Sequence, residues 1–552
     1  MRGMKCVGIF LFCFVLAHFA DANPRYAFRI NFIDKKGSFS IDNPSTFLSP
    51  RALERRTKQG IRIDELDLPV SPGYIKDVLS LSNGTLHTTS KWLNSCVVWL
   101  YDSSSISKLE TIPFISSITY VGNERQNLHG SLAPNTSNTN GTIPPKYKTT
   151  ANAAYYGDAW GQTSFVKGEC LHDKGFRGKG KLIAVLDDGF HYVNVALAFD
   201  SIYSSGRVVD AVNFVQGGND VYSSFLTHGT LVLSTMAANI PNTYVGAAPD
   251  AEYALYVTEN ASSETPLEMD NMVAAFERAD SIGADVVSAS VGYNSFDAPF
   301  PSIPPPQLDG KTTIAAIGAN IASQKGILVV ITAGNEGSGG LLTPGDADSA
   351  LTVGNVDINR IPAGSSGHGP NFANRIKPEV CALGQPGYVI TGGLTPFTAV
   401  GTSISTPQIA GWAACLWQGS IGKTNTEIKQ AIIQSSHLFP NPQMPQLGYG
   451  IPDFCQANVI LNLNDVKENS NAILAYPNPF NEQLTINLLA RKAERLTITI
   501  TDVTGKTVFV SSQMLHEGTN KLHIKIPALA SGIYVCKLMM DDEVRTLRVV
   551  KE

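Results

Sequence analysis

Four short apolar segments in the middle of the chain constrain its fold more than any other feature. Leu182–Leu186, Ala254–Val257, Val286–Ala289 and Ile327–Ile331 are apolar almost throughout, without a polar residue at every second position. A strand with one wet face alternates, whereas a near-continuous apolar strand is covered on both faces. Between these segments, Leu267, Met272, Phe276, Ala279 and Ile282 recur at helical spacing, and Thr313–Ala322 reads as another helix. Apolar strands alternating with helices predict an α/β unit over residues 153–463, a parallel sheet with helices on both faces. In such sheets sites form beyond the carboxyl ends of the strands. The residues that follow each strand are therefore the ones to read for chemistry.

The flanks have other styles. Residues 1–22 begin with Arg2 and Lys5, continue as an apolar run from Cys6 to about Ala20 and end in Ala20-Asp21-Ala22. That is the pattern of a cleaved secretory signal, and the run is short for a bilayer span. Residues 23–128 read as a small α+β unit of order β-α-β-β-α-β, a split βαβ arrangement. Residues 129–152 are rich in Asn, Thr, Ser, Gly and Pro and have too little apolar surface to offset the entropy of ordering, which predicts an exposed linker. A second linker is expected at 464–470. Over 471–552, Leu484, Ile486 and Leu488, then Leu496, Ile498 and Ile500, then Leu522, Ile524 and Ile526 alternate with polar residues, as in a small β-sandwich. Lys+Arg is 42 against Asp+Glu 47, so the basic excess of a nucleic-acid partner is absent. Of the eight cysteines, Cys6 and Cys13 leave with the signal; no C-x-x-C pair exists to suggest zinc, and export permits disulfides whose pairing the sequence does not assign.

Three strands of the α/β unit deliver functional groups to one rim. Leu182–Leu186 ends in Asp187-Asp188-Gly189, Val286–Ala289 in Ser290-Val291-Gly292, and Ile327–Ile331 in Thr332-Ala333-Gly334-Asn335. Two helix starts add His228-Gly229-Thr230 and Gly401-Thr402-Ser403-Ile404-Ser405-Thr406-Pro407. Pro407 suits only an early helical turn, which places Ser403 near free N–H groups. Acyl transfer needs a nucleophile, a base, a group that orients the base, and donors for the oxyanion. Ser403, His228, Asp187, and the Asn335 amide with the Ser403 N–H match that inventory. Taken singly, each residue has an ordinary structural explanation, such as a cap, a turn or a packed polar group. The argument rests on their combination and on the order Asp, His, Asn, Ser. Asp188 is expected on the opposite side of the strand from Asp187.

That combination resembles the subtilisin-like serine proteases, or subtilases, over about Tyr155 to Leu463. Val245-Gly246-Ala247-Ala248-Pro249 and Lys377-Pro378-Glu379-Val380 are similar to further family segments, while Asp188 stands where the family usually has Ser or Thr. The resemblance implies a secreted serine endopeptidase that forms an acyl-enzyme on Ser403. It also implies substrate pairing along Ser290-Val291-Gly292 and a primary specificity pocket lined by Ala333 and Gly334. With no acidic floor residue evident, a broad or apolar preference is expected. Residues 294–309, with Phe296, Phe300 and five prolines, read as a rigid insertion beside the substrate edge or as an inert loop.

The N-terminal unit resembles subtilase prodomains, which implies a zymogen inhibited by its own prodomain. The tail resembles C-terminal sorting domains of type IX secretion in Bacteroidota through Tyr476-Pro477-Asn478-Pro479-Phe480, Asp502-Val503-Thr504-Gly505, Ser531-Gly532-Ile533-Tyr534 and Val549-Val550-Lys551. This implies the type IX machinery as a partner, with surface attachment or release. No cofactor is expected for catalysis; the resemblance leaves structural calcium open, with no decisive oxygen-ligand loop in the sequence to place it. Two rivals stay open: a catalytically idle surface adhesin on the same scaffold, because fold alone does not give function, and an esterase, although Gly401-Thr402-Ser403-Ile404-Ser405 is not a G-x-S-x-G elbow.

Overall fold

Residues 25–124, 151–468, 474–490, 492–526, 529–541 and 543–551 are described by a computed structural model. The signal segment 1–22 and residues 129–150 of the first linker lie outside them. Among the described residues no helix is long and apolar enough to cross a membrane.

The N-terminal unit contains β1 (Arg25–Phe32), α1 (Pro50–Lys58), α2 (Pro72–Ser82), β2 (Thr85–Ser90), β3 (Ser95–Leu100), a one-turn helix over Ile106–Leu109 and β4 (Ile115–Glu124). Its antiparallel sheet has the order β2-β3-β1-β4. Ile30, Phe32, Val78, Val98 and Leu100 form its core. The helix α1 is absent from the sequence reading. Its start is well marked, with Pro50 in the first turn and the Ser49 side chain accepting from the Ala52 N–H. Its buried face, however, carries Arg55 and Arg56, so apolar periodicity does not reveal it.

The central unit contains β5 (Leu182–Asp187), β6 (Val208–Asn213), α3 (His228–Ala237), β7 (Glu252–Val257), α4 (Leu267–Ile282), β8 (Val286–Ala289), α5 (Ile314–Gln324), β9 (Leu328–Thr332), β10 (Leu351–Asp357), β11 (Val380–Gln385), α6 (Thr402–Gln418), α7 (Asn425–Gln434) and α8 (Phe454–Glu468). The seven strands are parallel, in the order β11-β10-β9-β8-β5-β7-β6. Alternate residues of one strand enter two different cores, as the strand period requires. Ile183 and Val185 pack with Val232, Ile409 and Trp412, whereas Leu182, Ala184 and Leu186 pack with Phe276 and Ala319. Both faces are thus covered, which is why these strands read as continuous apolar runs. A disulfide joins Cys170 to Cys455 in α8.

Two expectations need correction. The second linker was placed at 464–470, but α8 runs to Glu468, since residues 454–468 contain no Gly or Pro to stop it. Pro407 is the sixth residue of α6, beyond the first turn. Its missing N–H leaves the Ser403 carbonyl without its usual helical donor. The Ser290 hydroxyl supplies one instead, at 3.2 Å. The proline thereby ties the end of β8 to the start of α6.

The C-terminal unit is a sandwich of two antiparallel sheets. One has the order β12 (Leu474–Tyr476), β13 (Gln483–Ala490), β16 (Gly518–Lys525); the other β15 (Thr507–Leu515), β14 (Glu494–Asp502), β17 (Gly532–Met540), β18 (Glu543–Lys551). Leu484, Ile486 and Leu488 meet Leu496, Ile498 and Ile500 in its core.

Candidate active site

Each singled-out residue sits where a strand ends or a helix begins. Asp187 is the last residue of β5 and is fully buried. His228 is the first residue of α3, with its side chain 38% exposed. The Nδ1–H of His228 donates to Asp187 Oδ1 at 2.6 Å, and the Asp188 backbone N–H donates to the same oxygen at 2.9 Å. Close approach of α3 to the strand end depends on Gly229. A Cβ there would lie 2.4 Å from the Gly189 carbonyl oxygen and 2.9 Å from Asp187 Cβ.

Asp188 is not turned away from Asp187. The strand ends at Asp187, so alternation does not extend to its neighbour, and Asp188 Oδ1 accepts from the Gly229 N–H at 3.1 Å. The other Asp187 oxygen, Oδ2, is buried with no hydrogen-bond partner. Burial and the adjacent Asp187 charge push the Asp188 carboxyl up to about 7, against the pull of His228 and the Gly229 N–H. For His228, burial opposes the charged form, but Asp187, Asp188 and Glu259 outweigh it and raise the imidazole to about 9. Asp187, Asp188 and His228 are the one grouping of three metal-ligand residue types among the described residues with donor atoms within 4.8 Å of one another. The Asp187–His228 hydrogen bond already engages one ring nitrogen of His228 and one oxygen of Asp187.

Ser403 is the second residue of α6 and 9% exposed. Its N–H belongs to the first helical turn, where backbone donors have no intrahelical partner. Its hydroxyl makes a long contact of 3.5 Å to the Ser290 carbonyl and no hydrogen bond to His228. The helices α3 and α6 that carry the two residues pack against each other. Contacts of this kind are often long before substrate binds.

The Asn335 amide is oriented by Thr402, a motif residue to which the sequence alone assigns no role. Its Oδ1 accepts from the Thr402 N–H and the Thr402 hydroxyl, both at 3.0 Å, so its NH2 is not engaged by that pair. The Thr332 hydroxyl donates to Thr402 Oγ1 at 2.7 Å and accepts from the Gly334 N–H. Thr332 and Thr402 therefore brace the end of β9 against the start of α6. A threonine pair 70 residues apart has no local sequence signal. Ser290, Val291 and Gly292 follow β8 directly, and Ala333 and Gly334 follow β9, which forms two facing edges.

The same architecture appears among known proteins. A family model described as Subtilase family matches residues 178–458. The chain belongs to the subtilase family. A model for the peptidase S8 propeptide domain of Bacteroidota matches residues 27–139, and one for a secretion system C-terminal sorting domain matches 474–552. Among relatives, a thermostable alkaline protease of Halalkalibacterium halodurans is 28% identical over 287 residues, covering 52% of this chain and 70% of its own. Subtilisin E of Bacillus subtilis is 26% identical over 372 residues, covering 66% and 81%. In fold, the subtilase is similar to an epidermin leader peptide processing serine protease of Staphylococcus aureus, with a TM-score of 0.54 and 16% identity over 79% of this chain and 99% of that one.

This subtilase is a serine protease made with a propeptide, and its sorting domain directs it across the outer membrane to the cell surface or beyond. The propeptide unit docks on α4. Glu277 accepts from the Ser90 hydroxyl and from the Lys91 and Trp92 N–H groups at 2.6–3.0 Å. Arg29 pairs with Asp270 at 3.1 Å. The insertion 294–309 packs against the propeptide unit. Phe300 packs on Tyr120 of β4 with ring centroids 4.8 Å apart, and the Asp297 carboxylate accepts from the Glu264 N–H.

Proposed function

We propose that Ser403, His228 and Asp187 carry out peptide-bond hydrolysis, with Asn335 and the Ser403 N–H binding the oxyanion. The observation that supports this most is the 2.6 Å bond from His228 Nδ1 to the buried Asp187. It fixes the tautomer in which Nε2 is the free acceptor. Nε2 takes the Ser403 proton as Oγ bonds to the scissile carbonyl carbon. The carbonyl oxygen becomes anionic and receives two hydrogen bonds. His228 then gives its proton to the departing amine, the C–N bond breaks and an acyl-enzyme remains. Water, deprotonated by His228, attacks the ester, and Ser403 recovers its proton as the acid product leaves. Ser403 and a water supply the attacking electron pairs and His228 relays the protons in this sequence, so the reading needs no cofactor. Ser290-Val291-Gly292 and Ala333-Gly334 flank the substrate, and the prodomain inhibits until it is removed.

A serine-directed phosphonate tests this reading. It should label the matured wild type at Ser403 and leave S403A unlabelled; a wild type that does not react would return the idle-adhesin reading, and equal peptide cleavage by S403A would place catalysis on another group. Replacing Asn335 by alanine removes one oxyanion donor and should lower kcat by about 10²–10³ with little change in KM, measured by steady-state hydrolysis of a peptide amide.

The pH profile should respond to Asp188. His228 must be neutral to accept a proton, and negative neighbours hold it protonated to higher pH. Removing one neighbouring charge with Asp188→Asn, which keeps an oxygen for the Gly229 N–H, lowers the His228 pKa. The acid limb of kcat/KM should therefore move down by about one pH unit, the low end of what a charge within a few ångströms causes.

A further inference from the structure

The two edges assigned to the substrate are bridged by the segment that follows Asn335. Thr343 exchanges two backbone hydrogen bonds with Tyr293, at 2.8 and 2.9 Å, which ties it to the first edge. The Leu342 N–H reaches the Ala333 carbonyl at 3.4 Å, which ties it to the second. The Leu342 side chain occupies the space between them. A Cβ built on Gly334 would lie 2.6 Å from Leu342 Cγ and 2.9 Å from its Cδ1, and a Cβ built on Gly292 would lie 3.0 Å from Leu342 Cβ. One leucine is thus in contact with a glycine of each edge. It cannot sink deeper, because Thr343 beside it is fully buried and bonded through its hydroxyl to Thr313 at 2.5 Å.

We propose that Leu342 closes the floor of the primary specificity slot and restricts the residue whose carbonyl is attacked to glycine, alanine or serine. This rests on the assignment of 290–292 and 333–334 as the substrate walls, and it narrows the broad preference that the sequence suggests. A larger side chain would have to expel Leu342 into water or overpack the gap, and overpacking a filled site is costly. A lysine or arginine would in addition lose its hydration in a slot whose floor is apolar. A methyl or hydroxymethyl group needs no such displacement.

The test is a peptide series that varies only the residue before the scissile bond, cleaved by the matured full-length enzyme and by its L342A and L342G variants. The readout is the ratio of kcat/KM for phenylalanine to that for alanine, which does not depend on how much of a variant folds. Wild type should favour alanine by roughly a hundredfold or more, the scale at which a filled pocket rejects extra volume. L342G should raise the phenylalanine ratio at least about tenfold, with L342A between the two. A wild type that cleaves after phenylalanine as readily as after alanine, or an L342G ratio equal to wild type, overturns the proposal. Wild-type cleavage that survives in S403A instead overturns the catalytic assignment on which it rests.

Discussion

Replacing Ser403 by alanine is expected to lower kcat by about 10⁶, while the protein keeps its fold. The two halves of that expectation have separate grounds. Ser403 lies in the first turn of α6, its hydroxyl makes only the 3.5 Å contact to the Ser290 carbonyl, and alanine is the best helix former, so little stability is lost. Without the hydroxyl no acyl-enzyme can form, and the groups that act with it lose their purpose together. Asp187→Asn should cost less, about 10⁴, because nucleophile and base remain while the imidazole takes the wrong tautomer. Adding D187N to S403A should then cost almost nothing further, since residues that act as one unit are far from additive. Rates on a peptide amide, with thermal melts as the control, check all three variants. Near-additive losses would contradict a single proton-transfer chain.

Legibility in the sequence followed the range of the signal. Asp187, Asn335, His228 and Ser403 each stand directly after an apolar strand or at the start of an apolar helix, so local pattern alone places them on one rim. The parallel sheet was legible for the same reason, because both faces of β5 and β9 are covered. What was not legible depends on distant partners or on chain direction just past an element. Asp188 faces the site because β5 stops one residue earlier. Thr332 and Thr402 brace the oxyanion edge across 70 residues, and Leu342 meets both nearby Gly334 and the more distant Gly292. Ser290 compensates for a proline 117 positions later. The helix α1 escaped because its inner face is cationic, and carboxylates of α4 together with Asp67 make that burial tolerable.

That cationic face carries the second large effect, in the precursor rather than in catalysis. Asp280 of α4 is fully buried and accepts from Arg55 at 2.5 Å, Arg56 at 2.7 and 2.9 Å and Lys91 at 3.0 Å. Arg56 also reaches Asp67 at 2.9 Å, and Lys325 reaches Asp67 at 3.0 Å. Asp280→Ala leaves three buried cations sharing too little negative charge. Breaking one side of a buried ion pair costs about 3–5 kcal/mol. Once the linker is cut, prodomain release should therefore speed up by roughly 10²–10³, seen as activity without the lag of wild type. Arg51, about a third exposed where it meets Glu252 and Asp285, is the control, and Arg51→Ala should change the lag little, since such pairs contribute about 0–1 kcal/mol. The pH dependence has two opposed parts. The cations around Asp280 overcome burial and hold its carboxyl down to about 2, so its contribution is present above the ordinary carboxylate range and is lost only as pH falls toward 2. Burial pushes Asp270 up to about 6 despite Arg29, so its charge weakens docking at neutral pH, and protonation below 6 removes that penalty. Acidification to pH 5 thus costs nothing at Asp280 and relieves Asp270. The cleaved prodomain should remain bound at pH 5 in gel filtration, and its dissociation there would show that other groups govern release.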